Sequence, residues 1–314
     1  MKKSATVLLI STCILFAACN HKSTSDGYTD TATTGKVAIA VDETFQPIIE
    51  AELPVFHAIY KYASIQPRYL SENAAINLLL HDSVRLAIIS RPLSAKEMNY
   101  FHSKKFFPKE VPVAIDGIAV LVNPSNPDTL LSVSQLRKIM LGEITDWKQL
   151  DPKSKLGKIK VVFDNPSSST VRFVVDSITK TGKLGNQLSA MLYNLDVVDF
   201  ISGNANAIGL IGVSWISDSR DPKSLSFLNK IKVAAISTED VPTAKNSFQP
   251  FQAYIATGKY PLTRFIYMIL SEPRAGLGTG FTSFMASDKG QRIILKTGVL
   301  PYIEPVRIVH ISKE

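Results

Sequence analysis

From Lys36 onward the chain alternates short β-branched runs with stretches whose apolar residues recur at helical spacing. KVAIAVD, IQPRYLS and RLAIIS read as strands, and FQPIIEAELPVFHAIYKY, AAINLLL and LSAKEMNYF read as helices beside them. This is the rhythm of parallel βα units. Pro54 falls inside the first helical stretch, where it lacks an N–H and its ring crowds the preceding turn, so that helix is expected to kink or begin late. A second series of similar size follows: IAVLVN, SVSQLRKIM, KIKVVFD, STVRFVVDSI, AIGLIGVSWI and KIKVAAIS. QAYIATGKYPLTRFIYMIL reads as a long apolar stretch with strand character. GFTSFMASDKGQRIILKTGVL has helical spacing, and VRIVHIS closes the chain. No internal repeat is visible.

The beginning of the chain breaks this rhythm. MKKSATVLLISTCILFAAC runs from two lysines through an apolar stretch to small residues before a cysteine, the layout of an export signal, and it is too short to span a bilayer as a helix. Ala17-Ala18-Cys19 resembles the lipobox of bacterial lipoproteins, although Phe16 stands where leucine is usual; the resemblance implies cleavage before Cys19 and lipidation of its sulfur. The other reading is an ordinary cleaved signal. Residues 20–35, NHKSTSDGYTDTATTG, hold no large aliphatic residue and are expected to form a flexible tether with a reach of roughly 20 Å.

At 314 residues, with 45% hydrophobic and 20% charged residues, the remainder suffices for two lobes. The only cysteines are Cys13 and Cys19, both in the targeting region, so no disulfide is expected in the exported body. Lys2 and Lys3 are the only charged residues among the first 19, so cleavage would lower the net charge from +8 to +6. The remaining lysines, as in FHSKKFFPKE and DPKSKLGKIK, are scattered without aromatic interleaving. They read as solvated surface, and no nucleic-acid partner is expected.

Hydroxyl residues gather where strands hand over to helices. After KVAIAVD come Glu43, Thr44 and Phe45; after IQPRYL come Ser71, Glu72 and Asn73; after KIKVVFD come Asn165, Pro166 and the run Ser167, Ser168, Ser169, Thr170. After RLAII come Ser90 and Arg91, the latter shaped for two parallel hydrogen bonds to an oxyanion, with Pro92 opening the next turn. A first helical turn presents unpaired N–H groups and the positive end of the helix dipole, which attract anions. Capping alone accounts for any one such loop. Four loops on one edge of two α/β lobes would converge on the cleft between them, where open parallel sheets place ligands.

Other chemistries lack their residues. There is no G-x-S-x-G elbow, and His21, His57, His81, His102 and His310 show no catalytic spacing, so no enzymatic activity is expected. No H-E-x-x-H, paired cysteines or phosphate-binding G-x-x-x-x-G-K-[ST] loop is present, and no metal or other cofactor is expected.

Residues 113–150, VAIDGIAVLVNPSNPDTLLSVSQLRKIMLGEITDWKQL, together with AIGLIGVSW at 207–215, YPLTRFIY at 260–267 and FMASDKGQRIILKTGVLP at 284–301, resemble the phosphate-binding proteins of ABC transporters. These are members of the periplasmic binding protein family with a two-lobed flytrap fold. The resemblance implies an α/β type II fold with lobe I at 36–115 and 261–314, lobe II at 116–260, and two crossover segments. It implies that Thr44-Phe45 form the first binding loop, Ser71 belongs to the second, and Ser90-Arg91 belong to the third.

Ser167, Ser168, Ser169 and Thr170 lie where the family has Gly-Ser-Gly-Thr. Asp164 stands where an arginine is common, and serines replace both glycines. Asp164 and Glu43 either accept a hydrogen bond from a protonated oxyanion, which would discriminate against sulfate, or cap helices and face solvent. Arg172 and Asp116 rank as cleft candidates below Arg91. The implied partners are inorganic phosphate, an ABC permease and the membrane that holds the lipid on Cys19, with the protein acting as a monomer in the cell envelope. The competing reading is a sensory or interaction lipoprotein with the same fold that binds another small oxyanion or none.

Overall fold

The computed structural model describes residues 30–186, 188–218 and 221–303. The export signal and Cys19 lie outside the described residues, as does the VRIVHIS tail.

The first series of elements is β1 (Gly35–Asp42), α1 (Gln46–Ile59), β2 (Ala63–Leu70), α2 (Glu72–Leu80), β3 (Leu86–Ile89) and α3 (Ala95–Ser103). The long strand β4 (Lys109–Val122) leads to β5 (Leu130–Ser132), α4 (Val133–Leu141), β6 (Lys160–Phe163) and α5 (Ser169–Phe173), which continues as a π-helical turn to Thr179. Then come β7 (Leu188–Ala190), α6 (Asn194–Gly203), β8 (Ala207–Gly212), α7 (Pro222–Leu228), β9 (Lys232–Val233), β10 (Ala235–Ser237) and β11 (Ser247–Phe248). The described chain closes with α8 (Gln252–Ala256), β12 (Thr263–Leu270), α9 (Leu277–Met285), α10 (Asp288–Lys296) and β13 (Leu300–Pro301).

The main sheet runs β2-β1-β3-β12-β4-β8-β6-β7, with β9 and β13 also pairing to β4. β1 lies parallel to β2 and β3, and β6 lies parallel to β7 and β8, so the two βα series build two parallel sets. β4 joins them. It pairs antiparallel with β12 as far as Gly117 and with β8 from Ile118 onward. Tyr260 fixes this crossing from the interior, donating its hydroxyl to the Ile118 carbonyl at 2.5 Å. All six residues of β8, AIGLIG, are buried, as expected of a strand covered on both faces.

α1 runs from Gln46 to Ile59, so it neither begins late nor ends at Pro54. Pro54 sits on the exposed face, where the carbonyl it leaves unpaired can be hydrated, and Pro47 occupies the first turn, where a missing N–H costs nothing. A short 3-10 turn at Glu43–Phe45 precedes it. The stretch 252–270 is not one strand: α8 ends at Ala256, Gly258 takes φ of +67° in the left-handed region, and β12 starts at Thr263. The end of the tether belongs to the body, because the Thr31 amide donates to the Thr34 carbonyl and Gly35 pairs with Ala63 in the sheet.

The Gly142–Trp147 turn is built as its residues suggest. Gly142 closes α4 with φ of +78°, and the buried Trp147 donates its indole N–H to the Asn206 carbonyl at 3.0 Å. Pro67 is tolerated within β2 because β2 is an edge strand of the sheet.

Candidate functional site

β1, β6 and β8 end in loops that meet. Thr44, just after β1, and Ser169, at the start of α5, bring their hydroxyls to 3.4 Å across 125 residues of chain, and both are fully buried. The Arg264 guanidinium donates to the Ser169 hydroxyl at 2.8 Å and, through Nε and Nη2, to Oδ2 of Asp116 at 3.1 and 3.0 Å. Arg264 on β12 and Asp116 on β4 are direct cross-strand neighbours, so the sheet register sets this ion pair. Phe45 lies under the cation, its ring centre 5.1 Å from the guanidinium carbon.

Two features hold the first loop in place. Asp42 accepts the Thr44 amide at 3.1 Å, and Ser214, following β8, donates its hydroxyl to the Thr44 carbonyl at 2.9 Å. Gly212, at the end of β8, allows the close approach. A Cβ there would lie 2.4 Å from the Thr44 methyl and 3.3 Å from Asp116 Oδ2, so only glycine fits without displacing the loop.

Next to this cluster lies a second one. Ser90 gives both its amide and its hydroxyl to Oε1 of Glu72, at 2.9 and 2.7 Å. Arg172, from α5, reaches across to the same carboxylate, Nε to Oε2 at 2.5 Å and Nη2 to Oε1 at 3.3 Å, while Nη2 also donates to the Ser90 hydroxyl at 2.6 Å. Arg172 Nη1 continues to Asp176 on the surface at 3.1 Å. Burial pushes the Glu72 carboxyl up, but the hydrogen bonds and charge of Arg172, with the Ser90 bonds, outweigh it and hold the group below the usual carboxylate range.

Asp42 behaves differently. Burial, reinforced by the negative charge of Glu72 and only partly offset by Arg264, lifts its carboxyl to about 7. Its Oδ2 has no hydrogen-bond partner among the described residues, and neither has the buried Thr170 hydroxyl. Asp164 is buried and accepts the Ser168 hydroxyl at 2.6 Å, while burial pushes its carboxyl up. It therefore does not face solvent. Glu43 is half-buried and accepts the Asn194 amide at 3.4 Å.

The sequence-expected residues thus fall into groups. Thr44, Phe45 and Ser169 come together around Arg264, and Ser90 joins Glu72 and Arg172. Thr170 lies buried in the first turn of α5, and Ser71 is the N-cap position of α2 without a side-chain capping bond. Ser168 caps α5 by accepting the Val171 amide at 3.2 Å, and Ser167 is exposed. Arg91, ranked first among the basic residues, places both terminal nitrogens on Glu97 at 2.8 Å and donates to the Pro92 carbonyl. The hydrogen bond from Arg91 brings the Glu97 carboxyl down to about 2. Sequence reasoning did not single out Arg264, and it left Arg172 behind Arg91. The available signal was a lone cation in the apolar run TRFIYMIL, at an inward position of a strand paired with the lone acid of VAIDGIAVLV.

A family model described as a PBP superfamily domain matches residues 26–289. The phosphate-binding protein PstS of Bacillus subtilis (strain 168) is 25% identical over 316 aligned positions, covering 96% of this chain and 95% of that protein. The PstS of Pseudomonas aeruginosa (strain PAO1) is 22% identical, covering 85% and 83%. Among solved structures, a phosphate-bound Clostridium perfringens protein described as a phosphate ABC transporter substrate-binding protein superposes with a TM-score of 0.70 at 23% identity, covering 85% of this chain and 99% of that one. An ABC-type phosphate transport receptor from Vibrio cholerae gives 0.64 at 21% identity, covering 85% of this chain and all of its own. These likenesses show the fold, two α/β lobes of the type II binding-protein kind.

Proposed function

The chain belongs to the PBP superfamily, and on that premise we propose that it is the substrate-binding lipoprotein of an ABC importer, capturing inorganic phosphate between its lobes and delivering it to a permease. The observation that carries this reading is the meeting of Thr44 from the first βα series and Ser169 from the second, with Arg264 bound to Ser169 beside them. Hydroxyls, first-turn amides and one guanidinium are the donor set for a small oxyanion. The names of the relatives, all binding proteins, support the same ligand.

In this reading Thr44, Phe45, Ser169, Thr170 and Arg264 hold the ligand oxygens, Thr170 through its unpartnered hydroxyl. Phe45 contributes its backbone and keeps Arg264 flat against its ring. Ser71, Ser90 and Arg172 border the same cleft. Ser168 and Asp164 act together, the serine orienting the carboxyl. Asp42, when ionised, accepts a ligand proton that sulfate does not carry, and when protonated it donates an O–H to an oxygen of either ion. No step makes or breaks a covalent bond; capture proceeds by closure of lobes that share the ion.

The lobes we assign are 36–115 with 261–314, and 116–260, supported by the change of partner along β4, with residues 31–35 added to the first. Lipidation of Cys19 would hold the monomer at the envelope membrane; among the described residues no helix is long and apolar enough to cross one. Labelling by a lipid analogue that persists in Cys19→Ala would remove the anchor from this account.

Titration calorimetry of the purified chain against phosphate, sulfate, molybdate and a phosphonate tests the ligand. Phosphate is expected to bind and sulfate not. Binding of a different oxyanion, or of none, would favour the sensory reading instead.

A further inference from the structure

We infer that Glu72 is an internal competitor for the oxyanion: its carboxylate holds the Ser90 and Arg172 donors that phosphate would otherwise engage, and so sets how tightly the cleft takes its ligand. The inference rests on the phosphate reading above. Its basis is geometric. One buried carboxylate, 1% exposed, receives a backbone amide, a hydroxyl and two guanidinium nitrogens, at distances from 2.5 to 3.3 Å. That is the arrangement a protein builds around a bound oxyanion, filled here by its own side chain.

The position is unusual for a structural cap. Glu72 is the first residue of α2, where an acid gains from the helix dipole without any partner, yet it turns to a loop from β3 and to a helix that starts 97 residues later. Arg172 thereby ties the second βα series to the first through a carboxylate. The charge count points the same way. Asp42, Glu72, Asp116 and Asp164 gather around two guanidiniums, Arg172 and Arg264, so a further anion enters a cleft whose cations already carry partners. Arg264 is held by Asp116 on the sheet frame, whereas Glu72 reaches Ser90 and Arg172 from the first turn of a helix.

The test is calorimetry with inorganic phosphate on the wild-type chain, Glu72→Gln, Arg172→Gln and the double variant. Glu72→Gln keeps the shape and an acceptor for Ser90 but gives up the charge. It is expected to bind phosphate at least about tenfold more tightly. Arg172→Gln is expected to cost less than about threefold in the wild-type background and more than about tenfold in Glu72→Gln, a non-additivity that a merely structural Glu72 would not produce. Glu72→Asp, which draws the carboxylate back by one methylene, gives the same direction if Glu72→Gln does not fold. Equal or weaker binding by these variants beside a wild type that binds phosphate overturns the competitor role and leaves the phosphate reading standing. Absence of binding by every variant overturns both.

Discussion

Arg264 and Asp116 face each other from paired strands, both almost fully buried, so each neutralises the other where water cannot. Arg264→Met is expected to lose phosphate binding in calorimetry and to lower unfolding stability by about 3–5 kcal/mol, because Asp116 is left as a buried unpaired charge. Glu52 presents the opposite case. It is fully buried in α1, neither carboxylate oxygen has a partner among the described residues, and burial lifts its carboxyl to about 9. The folded state therefore keeps a proton that the unfolded state releases above its ordinary value of 4.5. Stability is expected to fall as pH rises from 4.5 towards 9, by about 1.4 kcal/mol per unit from this group. Glu52→Gln should flatten that slope in denaturant titrations at several pH values; an identical slope would mean Glu52 ionises freely in the fold. Arg91 would have to leave a carboxylate of its own before meeting a ligand. Its fork suits an oxyanion, and Glu97, six residues on in the capping box of α3, supplies one.

At the scale of elements, the site depends on where strands stop. β8 ends at Gly212, and the turn that follows places Ser214 against the Thr44 carbonyl. Gly212→Ala puts a methyl within 2.4 Å of the Thr44 side chain, so the first loop must shift away from Ser169. The expected outcomes are weaker phosphate binding in calorimetry and a stability loss of about 1–3 kcal/mol, the cost of overpacking a filled position, with secondary structure unchanged by circular dichroism. Full affinity would show that the loop relaxes freely. Strands and one helix start were legible from local pattern: KVAIAVD, RLAIIS, KIKVVFD and AIGLIG all form strands, and SVSQLRKIM forms a helix with a Ser132–Gln135 capping box. Less legible was α1, because Pro54 locally argues for a break, whereas the helix is carried through it by the buried face of Ile48, Ile49, Glu52 and Phe56, whose packing partners are not written in the local sequence. The same holds for α8, whose five residues sit in an apolar run that suits either conformation.

At the scale of the molecule, ligand binding and stability are linked. If phosphate binds only the closed fold, a concentration 100 times Kd should add about 2.7 kcal/mol to stability, raising the thermal midpoint by several degrees, while sulfate at the same concentration leaves it in place. A midpoint indifferent to phosphate would contradict a site built at the junction of the two βα series. The chain's own order of residues determined that there would be two such series, that hydroxyl-rich loops would stand where strands hand over to helices, and that the first 19 residues would read as an export signal, since periodicity, loop composition and targeting patterns are short-range properties. Only the tertiary structure decided which loops meet and which charges pair. Thr44 and Ser169 are 125 residues apart, Asp116 and Arg264 are 148 apart, and Glu72 and Arg172 are 100 apart. Such pairings are set by strand order and register across the sheet, where β4 pairs with β12 and β13 along its first half and with β8 and β9 along its second, and a residue read in its local segment holds no record of what the fold brings beside it.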